Sequence, residues 1–97
     1  MADAASREKI KEILREELPV LRAKLGISQG TLADRIGISR QTYSSIETGK
    51  REMTWTTALA LVAFFHHHDK TAPMLKRIDG LIESLTNIMD YPEGKQR

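Results

Sequence analysis

Along most of this chain apolar residues recur three and four positions apart, the spacing of one face of an α-helix. Over residues 6–18 this stripe is Ile10, Ile13, Leu14 and Leu18. Pro19 then interrupts the ladder, which predicts either one kinked helix or a new helix beginning at the proline; residues 20–25 complete it near Gly26. Leu32, Ala33 and Ile36 predict a short helix over residues 29–36, and Tyr43 and Ile46 another over 40–47, closed by Gly49. Thr54 stands where a cap belongs before a strongly apolar helix carrying Leu59, Leu61, Val62, Phe64 and Phe65 and ending near His66. After a polar break over residues 66–70, the positions Met74, Leu75, Ile78, Leu81, Ile82, Leu85, Ile88 and Met89 predict one long amphipathic helix from Pro73 to about Asp90. No segment reads as a strand, so the fold class is all-α.

The two short central helices are the most specific feature. Ser28 and Ser39 each precede a helix, where a serine oxygen accepts the unpaired N–H groups of the first turn. Gly37 lies between them, where a left-handed backbone angle turns the chain sharply. Ala33 is small enough for the second helix to cross close to the first. This is the layout of a helix-turn-helix. Residues 25–29 (Leu-Gly-Ile-Ser-Gln), 32–42 (Leu-Ala-x-x-Ile-Gly-Ile-Ser-Arg-Gln-Thr) and 46–51 (Ile-Glu-x-Gly-Lys-Arg) give residues 18–66 a resemblance to the helix-turn-helix domain of the phage Cro and repressor proteins, the XRE family. The resemblance implies an all-α, five-helix lambda-repressor-like chain whose helix-turn-helix DNA-binding domain spans residues 18–68. An N-terminal helical extension (1–17) would precede it, and a C-terminal amphipathic helix with a short tail (69–97) would follow.

Charge adds to this picture through its placement. The 97-residue chain has a formal net charge of +2, but residues 18–55 carry six basic residues (Arg22, Lys24, Arg35, Arg40, Lys50, Arg51) against three acidic ones (Asp34, Glu47, Glu52). The flanking segments carry no basic excess, so the surplus falls on the segment with the helix-turn-helix pattern. Attraction to phosphate supplies most non-specific affinity for DNA, so this distribution suits double-stranded DNA as partner.

In the family, the third helix enters the major groove. By that resemblance Arg40, Gln41, Thr42 and Ser45 are the expected base contacts, and Gln29, Ser44, Lys50 and Arg51 the expected backbone contacts. The chemistry suits the roles. An arginine fork bonds guanine O6 and N7 together, a glutamine amide pairs with adenine, and a threonine methyl touches thymine. The resemblance also implies a structural ion pair between Arg22 and Glu47, which fixes geometry more than it adds stability. Tyr43 and Ile46 read as core, with the Tyr43 hydroxyl within reach of a phosphate. Trp55 reads as a packing residue.

Other chemistry finds little support. The chain has no cysteine, and His66, His67 and His68 are adjacent residues that point different ways on a helix, so no metal and no cofactor are expected. No nucleophile–base pair, phosphate-binding glycine loop or paired carboxylates occur, and an enzyme is not expected. The longest apolar run, residues 58–65, is too short to span a bilayer, and the polar N-terminus is no signal peptide. A cytoplasmic, nucleoid-associated location is the expectation. A domain this small gains from a partner chain. The stripe residues Ile78, Leu81, Ile82, Leu85, Ile88 and Met89 are the expected homodimer interface, matching a twofold, palindromic operator; the alternative is that this helix packs back on its own domain or on the N-terminal helix. The function expected is thus a dimeric repressor binding a short inverted repeat. The alternative is an antitoxin-like or adaptor protein whose terminal helices hold a protein partner.

Overall fold

The computed structural model describes residues 4–94; the first three and last three positions of the expected terminal segments lie outside it. The described residues contain six helices and no strand: α1 Ala4–Leu25, α2 Gln29–Ile36, α3 Arg40–Glu47, α4 Trp55–His67, α5 Ala72–Arg77 and α6 Leu81–Met89. No described helix is long and apolar enough to cross a membrane.

The first helix runs unbroken through Pro19. A proline here removes the N–H that would bond the carbonyl four residues back. The ring lies on the exposed side, while Leu18 and Leu21 on either side of it are fully buried. Tertiary burial of those two leucines outweighs the lost bond. Ile10, Leu14, Leu18 and Leu21 make α1 the axis of the molecule, packed against α3, α4 and α6.

Around that axis, caps define the short helices. Ser28 Oγ accepts from Thr31 N at 3.1 Å, Ser39 Oγ from Thr42 N at 3.0 Å and Thr54 Oγ1 from Thr57 N at 3.1 Å. Gly37 adopts φ +84°, in the left-handed region, and the Ile38 N–H returns to the Ala33 carbonyl at 3.0 Å. This turn lays α3 across α2, with Leu32, Ala33, Tyr43 and Ile46 buried in one core with Ala58, Leu61 and Phe65 of α4.

The single C-terminal helix expected from the apolar stripe is instead two. Ile78 is extended and Gly80 takes φ +78°, ending α5 and starting α6 in a new direction. Leu75 of α5 and Leu81 of α6 are both fully buried, and the two helices face different partners, α5 meeting α4 and α6 meeting α1. One straight helix has only one direction to offer. Glycine at the break lets the apolar side be re-aimed at little conformational cost. Leu81, one of the residues expected at a dimer surface, is fully buried within its own chain. The corner between α4 and α5 depends on Thr71, the one buried polar residue among the described residues, whose hydroxyl donates to the Phe65 carbonyl at 2.6 Å.

Because Leu81 anchors α6 on α1, Leu81→Ala is expected to lower the unfolding free energy by roughly 2–5 kcal/mol. Urea denaturation monitored by circular dichroism checks this, and a loss well below that range would mean that α6 is not docked.

Candidate nucleic-acid interface

The two faces of α3 have different tasks. Tyr43 and Ile46 point into the core, while Arg40 and Gln41 are exposed and Thr42, Ser44 and Ser45 are partly so. What holds the helix at its angle is a carboxylate beneath it. Glu47 Oε2 accepts from Arg22 Nε at 2.8 Å and from the Tyr43 hydroxyl at 2.6 Å. Its Oε1 accepts from Arg22 Nη2 at 2.9 Å and Gln29 Nε2 at 2.8 Å. A further Arg22 nitrogen, Nη1, reaches the Ile27 carbonyl at 3.1 Å. One carboxylate therefore ties the end of α1, the start of α2 and the last turn of α3 together. Tyr43 and Glu47 share a face of α3 because they are four residues apart.

Electrostatics follow from this geometry. Burial pushes the Glu47 carboxyl up from its usual 4.5, but the hydrogen bonds from Arg22, Tyr43 and Gln29 prevail and hold it at about 2. Burial, reinforced by the adjacent carboxylate, raises the Tyr43 phenol. The hydrogen bond to Glu47 raises the Arg22 guanidinium against a smaller desolvation penalty. The Tyr43 hydroxyl is thus engaged inside the protein and does not point to a phosphate, a correction to the sequence expectation.

The expected contact residues fall into two groups around the start of α3. Arg40 lays its stem over the start of α2, close enough that a Cβ on Gly30 would meet Arg40 Cδ in van der Waals contact at 3.4 Å. Gln41, Thr42, Ser45, Lys50 and Arg51 line one shallow, open concavity. Within it Thr42 Oγ1 accepts from Ser39 Oγ at 2.9 Å and from Arg51 Nη1 at 3.3 Å. Gln29, at the first turn of α2, gives one amide N–H to Glu47, while its other amide N–H and its side-chain carbonyl oxygen have no partner among the described residues. The packing of Arg40 over Gly30 and the Arg51–Thr42 bond were not read from the sequence. The first had a signal in a glycine inside a helix; the second joins residues nine apart and had none.

At the end of α4, the His67 and His68 rings meet edge to face at 5.0 Å and Phe64 lies 4.8 Å from His68. No group of His, Asp or Glu among the described residues is arranged to hold a metal ion.

Compared with known families, residues 21–66 match the helix-turn-helix family model. Those residues are an XRE-family helix-turn-helix domain. None of the curated proteins and none of the solved structures compared with the chain matches it. The XRE domain is a DNA-binding module of transcription regulators, and it contains the Glu47 network and both groups of expected contact residues. It begins at Leu21, inside α1, and ends within α4, so most of α1 and all of α5 and α6 lie outside the family match.

The folded pKa of Glu47 lies below its unfolded value, so its contribution to stability is complete above pH 4.5 and is lost as pH falls towards 2. Glu47→Gln should cost roughly 1.5–3 kcal/mol near neutral pH, the worth of hydrogen bonds to a charged group. The gap between wild type and variant should then close through that acid window. Denaturant midpoints measured from pH 7 to pH 2 check this, and a gap that stays constant would contradict the assignment.

Proposed function

We propose that this chain is a dimeric transcriptional repressor that reads a short inverted repeat by placing α3 in the major groove. The observation that carries the reading is the chemistry of the outward side of α3. Its exposed residues are hydrogen-bonding or cationic, while Tyr43, Ile46 and Glu47 fix the helix from beneath. Arg40 offers its fork to guanine and Gln41 its amide to adenine, while Thr42 and Ser45 complete the base-facing set. Gln29, Ser44 and Lys50 hold the sugar–phosphate backbone, which positions the helix without reading sequence. Occupancy of the operator then blocks polymerase.

Dimerisation is supported by the outer flank of α6. Ile82, Leu85 and Ile88 are only partly buried against the core, and Met89 is 52% exposed. A second copy covering this flank would set two recognition helices against the two halves of a palindromic site.

Selection of bound sequences from random duplex DNA tests the reading. Wild type should enrich an inverted repeat. Arg40→Ala and Gln41→Ala should each relax one base position per half-site by about 1–3 kcal/mol. Lys50→Ala should weaken all sites alike and reduce the salt slope by about 1. Failure to enrich any motif at low salt would overturn the DNA-reading role.

Light scattering should give a dimer for wild type and a monomer for Met89→Asp, a change at a surface position that spares the chain's own core. A wild-type monomer would return the open flank of α6 to a different protein, the antitoxin-like alternative.

A further inference from the structure

We infer that Arg51 is a base-reading, specificity-determining residue and not a backbone clamp, an inference that rests on the DNA-reading role proposed above. The loop after α3 folds back on the helix: Gly49 takes φ +83°, and the Lys50 and Arg51 N–H groups both donate to the Ser45 carbonyl, at 2.9 and 3.1 Å. From this anchor the Arg51 side chain runs back along α3 towards its N-terminal end, where Nη1 donates to Thr42 Oγ1 at 3.3 Å. Its guanidinium thereby shares a concavity with Gln41 and Ser45, the residues that project beside it.

That single bond orients the fork without using it up. A guanidinium has five N–H donors, and the edge formed by Nε and Nη2 has no partner among the described residues. No carboxylate there forms an ion pair with Arg51. The free edge has the two parallel donors that match guanine O6 and N7. Lys50 lines the same concavity but carries a point charge on a flexible stem, the chemistry of a phosphate contact. Arg40, by contrast, lies over Gly30 of α2. The recognition helix is therefore flanked by two arginines held in different ways, one by packing on α2 and one by the Thr42 hydroxyl. Thr42 acts as the positioning residue: its oxygen accepts from Ser39 and Arg51, and its methyl remains for contact with a base.

The test compares the 97-residue wild type, Arg51→Ala, Arg51→Lys and Thr42→Val, in sequence selection and in binding to the selected duplex and its single-base variants at fixed salt. Arg51→Ala should flatten one base column of the motif, with a loss of discrimination there of roughly 5- to 150-fold. Arg51→Lys keeps the charge and loses the fork, so it should preserve the salt slope and still fail to restore that column. Thr42→Val, which keeps the branched shape and removes the acceptor, should blur the same column to a smaller extent. A motif unchanged in Arg51→Ala, with uniform weakening that Arg51→Lys rescues, would overturn this inference alone and make Arg51 a phosphate contact. No motif from wild type would overturn the DNA-reading role and this inference with it.

Discussion

Everything that faces outward on α3 depends on the carboxylate of Glu47. An eight-residue helix is too short to be stable in water by itself, because nucleation fixes several residues for each hydrogen bond gained. Here Arg22, Gln29 and Tyr43 meet on one side chain whose own residue ends the helix. Glu47 is 9% exposed and Arg22 21%; burial is the largest single influence on the carboxylate, and the hydrogen bonds from Arg22, Tyr43 and Gln29 together outweigh it. The network sets the height and tilt of α3 relative to α1 and α2, and a displacement there would move its outward side chains together.

The placement of glycines and caps follows the same economy. Gly37 makes the turn that the two helices need, and Gly30 lies beneath the Arg40 stem. Ser39 caps α3 and also donates to Thr42, so the element that begins the helix takes part in orienting its side chains. In this way the rigid scaffold reaches the concavity lined by Gln41, Thr42, Ser45, Lys50 and Arg51. Such support limits the entropy that these side chains would lose on meeting any ligand.

Outside the family match, most of α1 and the α5–α6 pair extend the core. Thr71 secures the end of α4, and the break at Gly80 divides the apolar stripe between α4 and α1. This arrangement buries Leu75 and Leu81 within the chain and leaves the outer flank of α6 partly open. A small helix-turn-helix unit so acquires a larger core and a separate apolar surface.

The sequence by itself determined the all-α class, the limits of α2 and α3 to the residue, and their capping serines. These are local matters: apolar period, hydroxyl at the cap and glycine at the turn act within a few residues. The Arg22–Glu47 pairing was legible only through a resemblance, and Tyr43 as a third member had its signal in the four-residue spacing to Glu47. The tertiary structure alone decided the rest. Pro19 stays inside α1 because buried leucines flank it, a gain that propensity does not contain. Residues 73–90 break because two leucines must be buried against different helices, while periodicity describes a stripe and not what will cover it. Arg51 meets Thr42 because the chain reverses at Gly49 and brings together residues whose separation in sequence carries no period at all.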